Sequence, residues 1–332
     1  MRPRRQKVLA ALLVAASLLV GCASLPQADV VAPHGLHAVR IDQLQAPTQT
    51  AELSLVLGGG GLRGFAHLGV LQALDEAGIR PDLVVGSSAG AIVGAAYASG
   101  LQPAQLLVAA RELRVASLID FSPGAGGLMR GRHIAAWVDE LVAHKPIEQL
   151  PVRCAAVATD LQSGEPVLLE RGAAGTAVQA SAAVPGVTAP LTLADGTQLI
   201  DGGLSSLVPV RAARALGAKA VIAVDIYCHS PRAEGRGAMA IAGRALQGQN
   251  CRLAAPEIAE ADVLIAPAVR VASLSDRNEQ AAAVQAGYLA TQAALPRIRA
   301  MLEMARRDAS PPNGTDDVGQ SETRCVPMPD DC

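Results

Sequence analysis

Two glycine-rich turns, each following a short apolar run and opening onto a helix-like stretch, constrain this chain more than any other feature. The first reads Leu53-Ser54-Leu55-Val56-Leu57-Gly58-Gly59-Gly60-Gly61-Leu62-Arg63-Gly64, the second Leu83-Val84-Val85-Gly86-Ser87-Ser88-Ala89-Gly90. Continuous apolar runs such as Leu53–Leu57 suit strands buried on both faces. Leu62–Ala77 reads as a helix with Leu68, Leu71 and Leu74 on one face, ended by Gly78, and Ser88–Ser99 as a very apolar helix ended by Gly100. Strand, turn and helix repeated twice predict a parallel sheet with right-handed crossovers.

Further along, residues 103–143 read as helices joined by the glycine-rich loop Ser122–Gly131. Cys154–Thr159, Pro166–Leu169, Ala220–Ile226 and Val263–Ala266 read as strands, and Leu191–Leu193 with Gln198–Ile200 flank Asp195-Gly196, a hairpin signal. Ala173–Ala183 reads as a small-residue helix, 229–250 as an insertion rich in Gly, Arg and Ala, and Asn278–Arg306 as a long helix. Half of the 332 residues are apolar but only 2% are aromatic, so Ala, Leu and Val must fill the core. With a net charge of −2 and no basic stripe, nucleic acid is excluded as a partner.

The first turn fits the G-x-G-x-x-G pattern at Gly59, Gly61 and Gly64, which opens three readings: a dinucleotide site, an oxyanion-binding loop or an inert turn. A dinucleotide site expects an acid at the end of the second strand, about 20 residues on, to hold the ribose. That strand ends instead in Gly86-Ser87-Ser88. A Walker loop needs Gly-Lys-Ser/Thr, which Arg63-Gly64-Phe65 does not supply. Successive glycines can point several N–H groups at one spot, and a helix N-terminus adds its positive end, so the oxyanion reading is favoured. Arg63 could orient the loop, meet a phosphate or sit in a salt bridge.

The second turn fits G-x-S-x-G, with Gly86 and Gly90 making room for a sharp strand-to-helix turn at Ser88. Ser87 is the nearest competitor, and a serine N-cap is the inert reading. A nucleophilic serine needs a base. His34 and His37 lie outside the patterned region, His67 reads as a packed helix residue, and His133 and His144 bracket a helix containing Trp137. His229 follows a strand, as a triad histidine would. Asp201 in Leu199-Ile200-Asp201-Gly202-Gly203 is the stronger candidate, because an apolar strand delivers its carboxylate to a strand end. A plain Asp-Gly turn is the inert reading.

Taken together, Gly59–Gly64 with Arg63, the Gly86–Gly90 elbow, Ala180–Gly186 and Asp201-Gly202-Gly203 resemble the patatin-like phospholipase family, over roughly Glu52 to Ile226. The resemblance implies a three-layer α/β/α fold with a mostly parallel central sheet. It implies a Ser88–Asp201 dyad hydrolysing fatty-acyl esters of phospholipids or lysophospholipids through an acyl-enzyme, with Gly59, Gly60 and Gly61 holding the oxyanion. Gly64, Gly86, Gly90, Gly202 and Gly203 would support these groups, and neither metal nor cofactor is needed. A non-catalytic lipid- or partner-binding lipoprotein on the same fold is the alternative. Val115–Ile119, Phe121, Leu128 and Met129 are candidates for the rim of an acyl trench, with a buried loop as the other reading.

The N-terminus reads as a targeting segment. Arg2, Arg4, Arg5 and Lys7 precede the apolar run Val8–Val20, too short for a comfortable span, which ends in Leu19-Val20-Gly21-Cys22. This resembles a bacterial lipobox, with Cys22 lipidated and Ala23-Ser24 favouring an outer-membrane lipoprotein facing the periplasm. An ordinary signal peptide with an incidental cysteine is the other reading. The expected organisation is a signal peptide over 1–21, a tether over 22–51, the domain over 52–308 and a flexible tail over 309–332. Cys154, in an apolar run, is expected to be a buried free thiol. Cys228, Cys251, Cys325 and Cys332 allow two bridges in three connectivities, expected to clip the tail and a loop.

Overall fold

The computed structural model describes residues 30–31, 35–47, 49–122, 126–232, 234–271, 273 and 275–309. Cys22, Cys325 and Cys332 lie outside them. The strands are β1 (Val30–Val31), β2 (His37–Arg40), β3 (Ala51–Leu57), β4 (Leu83–Ser87), β5 (Arg153–Asp160), β6 (Pro166–Arg171), β7 (Leu191–Thr192), β8 (Gln198–Asp201), β9 (Ala218–Val224) and β10 (Val263–Ile265). The helices are α1 (Phe65–Glu76), α2 (Ala89–Ala98), α3 (Pro103–Glu112), α4 (Arg132–Leu141), α5 (Ala174–Ser181), α6 (Val210–Ala215), α7 (Ala238–Ile258) and α8 (Arg277–Ala309).

The strands form one sheet in the order β1-β7-β8-β5-β4-β3-β9-β10, with β6 on β5 and β2 on β6. The central run β5-β4-β3-β9-β10 is parallel throughout. Beyond β5 the pairings with β6 and β8 turn antiparallel. The Asp195-Gly196 signal does join an antiparallel pair, β7 and β8.

Side-chain alternation along β3 explains the layers. Leu55 and Leu57 enter a core with Val70, Leu71 and Leu74 of α1 and Ile298 of α8. Val56, one residue out of phase, enters a core with Ala212 and Ala213 of α6 and Ala254 and Ile258 of α7 on the opposite face. A third core packs α2, α4 and α5 against β5 and β6. Both faces of the sheet are therefore covered, as the unbroken apolar strands require. Cys154 is a buried free thiol in that third core, its pKa pushed up to about 12 by burial.

The structure refines three expectations. Part of the segment read as a tether is woven into the sheet: β1 pairs with β7, and β2 pairs antiparallel with β6. The segment read as an insertion, 229–250, carries much of α7 (Ala238–Ile258). Of the bridges expected among Cys228, Cys251, Cys325 and Cys332, one joins Cys228 to Cys251 and pins the loop after β9 to α7. No helix among the described residues is long and apolar enough to cross a membrane.

Candidate active site

Strand β5 brings the two candidate side chains, Ser88 and Asp201, together. Its residue Val157 pairs with Ser87, the last residue of β4, and its next residue, Ala158, pairs with Asp201, the last residue of β8. At Ala158 the opposite edge is taken by Val167 of β6, so β4 and β8 follow one another along the same edge of β5. The residue after Ser87 is therefore delivered beside Asp201, although the two are 113 positions apart.

Ser88 sits at the elbow between β4 and α2 with φ 52° and ψ −118°, a conformation that few side-chain-bearing residues adopt. The flanking glycines make the turn sterically feasible. A Cβ on Gly90 would collide with the Leu57 carbonyl of β3, and one on Gly86 would stand 2.5 Å from the Ala91 nitrogen. The elbow is pinned from outside by Ser181 at the end of α5. The Ser88 N–H donates to Ser181 Oγ at 2.9 Å, and the Ser181 hydroxyl donates to the Val157 carbonyl at 2.6 Å.

The Ser88 hydroxyl donates to Asp201 Oδ2 at 2.6 Å, and both residues are buried. Asp201 is fixed on every side. Its Oδ1 accepts the Gly203 N–H at 2.7 Å, its carbonyl accepts the Thr159 hydroxyl at 2.8 Å, and its N–H donates to the Ala183 carbonyl at 2.9 Å. Burial raises its pKa to about 6, against the opposing pull of the Ser88 and Gly203 hydrogen bonds. An ionised carboxylate in this position can take the serine proton.

The glycine turn passes beside the elbow: a Cβ on Gly59 would lie 3.3 Å from Ser88 Cβ. Gly59 is nevertheless not an oxyanion donor, because its N–H is committed to the Leu207 carbonyl at 2.9 Å. Gly58 is committed likewise, to Val224 at 3.0 Å. Among the described residues the Gly60 and Gly61 N–H groups have no backbone partner, and Gly61, at φ 59°, shares a cavity with Ser88. The N-terminus of α2 at Ala89 also faces this spot, adding its positive end.

The histidines take other parts. His67 is fully buried in α1 and donates Nε2–H to the Gly58 carbonyl at 2.9 Å, leaving Nδ1 without a partner. Burial lowers its pKa to about 4, so it is a neutral prop under the glycine turn. His229 Nδ1 lies 2.8 Å from Asp225 Oδ2, while the Ser88 hydroxyl is given to Asp201. Among the described residues Arg63 makes no salt bridge; its guanidinium stacks 5.2 Å from the Tyr227 ring centroid.

Ser88 opens onto a cavity of about 460 Å³ walled by α1, α2, α3 and α4 and lined almost entirely by apolar side chains. Leu118, Ile119 and Met129 line it, as the rim reading expects, but Phe121 and Leu128 do not and are exposed instead. Sequence reasoning missed the props, Ser181, His67 and Leu207, and missed Val93, Ala96 and Trp137 as cavity wall. The stretch Ala180–Gly186 was a signal for Ser181, whereas nothing local marks the rest.

Residues 55–214, which contain the glycine turn, the elbow and Asp201, match the family model described as patatin-like phospholipase. An uncharacterized NTE family protein of Mycobacterium tuberculosis is 39% identical over 181 residues, covering 54% of this chain and 50% of that protein. Patatin-like phospholipase domain-containing protein 6 of Mus musculus is 35% identical over 52% of this chain and 13% of its own length. This chain thus spans about half the length of that mycobacterial relative, and 37% of another from the same species. Among solved structures, VipD from Legionella pneumophila superposes with a TM-score of 0.53 at 14% identity, covering 84% of this chain and 71% of that one, a likeness of fold.

Proposed function

We propose that the chain, whose residues 55–214 match the patatin-like phospholipase family model, hydrolyses fatty-acyl esters of phospholipids or lysophospholipids through an acyl-enzyme on Ser88. The observation that carries this reading is the 2.6 Å contact between Ser88 Oγ and the buried Asp201 Oδ2, at the mouth of an apolar cavity.

In this scheme Asp201 accepts the hydroxyl proton as Ser88 Oγ bonds to the ester carbonyl carbon. Negative charge collects on the carbonyl oxygen, facing the N–H groups of Gly60 and Gly61 and the α2 N-terminus. Losing one such donor costs about 3–4 kcal/mol in the transition state. Collapse of the intermediate breaks the bond to the alcohol, which leaves with the proton from Asp201. Water then attacks the acyl-enzyme, gives its proton to Asp201, and the fatty acid departs as Ser88 regains a proton. A base with a pKa near 6 suits this work at neutral pH better than an ordinary aspartate. The acyl chain occupies the cavity beside Ser88. An acyl anchor on Cys22 would hold the enzyme in the outer membrane facing the periplasm, where such lipids lie.

The test is labelling by a fluorophosphonate probe together with hydrolysis of a water-soluble butyrate ester. Wild-type protein is expected to be labelled on Ser88, and Ser88→Ala and Asp201→Asn to lose hydrolysis by at least a thousandfold while remaining folded. An unlabelled, inactive wild type that still binds lipid would favour the non-catalytic lipoprotein. An active Asp201→Asn variant would reject the dyad and return attention to His229.

A further inference from the structure

The mouth of the catalytic cavity carries a patch of large apolar side chains facing solvent. Phe121 is 71% exposed, the most of any large apolar residue among those described, and the chain has only two phenylalanines to spend. Leu128 (51%), Val187 (43%), Val184 (42%) and Ile119 (40%) are exposed with it. Scattered apolar residues on a surface need no explanation, but a contiguous patch does.

Phe121, Leu128, Val184 and Val187 are linked through backbone hydrogen bonds of their segments rather than merely near in sequence, the Val187 N–H donating to the Val184 carbonyl at 3.0 Å. The Leu128 and Met129 N–H groups both donate to the Val187 carbonyl at 2.9 Å, and Ser122 N–H donates to the Leu128 carbonyl at 2.8 Å. Phe121 bridges to Met129, and Met129 to Thr188. The patch is also continuous with the cavity, because Ile119, Val184 and Val187 line its wall while remaining partly exposed. An amphiphile reaching Ser88 would have to pass this rim.

The same segment carries positive charge: Arg114 and Arg132 are exposed, and its acid, Asp120, is engaged by the chain, its carboxylate accepting the N–H groups of Arg130, Gly131 and Arg132 at 2.8–2.9 Å. In a chain of net charge −2, two exposed arginines in the segment that carries Ile119, Phe121 and Leu128 are a local feature. A soluble protein partner has no reason to dock where a lipid must enter. An anionic lipid surface meets both the apolar side chains and the arginines.

We infer that Ile119, Phe121, Leu128, Val184 and Val187 form the face by which the protein seats its cavity mouth on an anionic lipid surface. The inference rests on the proposed acyl hydrolase for its use, and the experiment separates the two. Trp137 is the single tryptophan, so Phe121→Trp in a Trp137→Phe background places one fluorophore in the patch. Leu253→Trp in the same background places one on an exposed apolar site of α7 instead. With vesicles of phosphatidylglycerol and brominated phosphatidylcholine, the fluorophore at 121 is expected to shift to the blue and be quenched by at least half, and that at 253 to be unchanged. Separately, the Phe121→Ser/Leu128→Ser double variant is expected to lose about tenfold in hydrolysis of vesicle lipid while hydrolysing the soluble butyrate ester like wild type. An unquenched fluorophore at 121, or equal quenching at 253, overturns the docking face. Undiminished quenching on purely phosphatidylcholine vesicles overturns its anionic character. Quenching at 121 by a wild-type-like protein that hydrolyses neither substrate leaves the face standing and defeats the hydrolase.

Discussion

In the proposed scheme Asp201 couples catalysis and stability through one proton. Its pKa, raised from 3.8 to about 6 by burial, means that the carboxylate is a competent base only above pH 6. The rate of hydrolysis is expected to fall about tenfold per pH unit below 6, and a flat profile down to pH 4.5 would show that another group takes the proton. For stability the sign runs the other way. A folded-state pKa above the unfolded value means that the native state binds the proton more tightly, so this group favours folding below pH 3.8 and loses that contribution as pH rises through 6. Two units correspond to about 3 kcal/mol. Asp201→Asn, uncharged throughout, is therefore expected to melt above wild type at pH 8, with the gap closing near pH 4 in thermal denaturation. At this scale the sequence was legible where chemistry is local. Ser88 between two glycines and Asp201 at a strand end declare themselves. Gly59 did not, because what disqualifies it is a carbonyl at Leu207, supplied by a turn nearly 150 residues away. His67 looked like packing for the same reason: its partner, Gly58, is set by how α1 folds back on β3.

Helix α7 shows how an element can hide from periodicity. Its Ile241, Leu246 and Leu253 are exposed, whereas Gln247 and Glu257 are buried, so the expected apolar stripe is partly inverted. The buried polar groups have specific work. Gln247 donates to the Tyr227 carbonyl at 2.8 Å, and the Glu257 carboxylate accepts the Ser206 hydroxyl and the Arg211 N–H, each at 3.0 Å. Those contacts flank Leu207, whose carbonyl fixes Gly59, so α7 braces the glycine turn from behind. β1 and β2 hid for a simpler reason: strands of two and four residues give too little alternation to read. The disulfide adds the covalent part of the brace. Cys228 and Cys251 close a loop with a sequence separation of 23, for which the chain-entropy account gives about 3 kcal/mol. Cys228→Ser/Cys251→Ser is expected to lose roughly that much in urea unfolding, as is wild type under reducing agent. Equal midpoints for oxidised and reduced protein would show that hydrogen bonds alone hold α7.

On the scale of the whole molecule, one strand and four helices build the candidate site. β5 collects the elbow from one parallel neighbour and the carboxylate from an antiparallel one, which places Ser88 and Asp201 at the seam between the two halves of the sheet. The repeated strand, turn and helix made the parallel half legible, but the cavity is assembled from helices whose spacing depends on the finished fold. Its function gives the prediction belonging to this scale. If an acyl chain fills the space beside Ser88, each methylene taken from water contributes about 0.8 kcal/mol, or about fourfold in kcat/KM. The specificity constant is then expected to climb with chain length until about 460 Å³ is filled, and to level off there. Val93, on α2, lines that space. Val93→Trp should make the climb end several carbons earlier and lower the ratio of dodecanoate to butyrate turnover at least tenfold. A series of p-nitrophenyl esters measured on both proteins decides it. Parallel climbs with the same end point would mean that the acyl chain lies elsewhere and that the cavity beside the serine serves another part of the lipid.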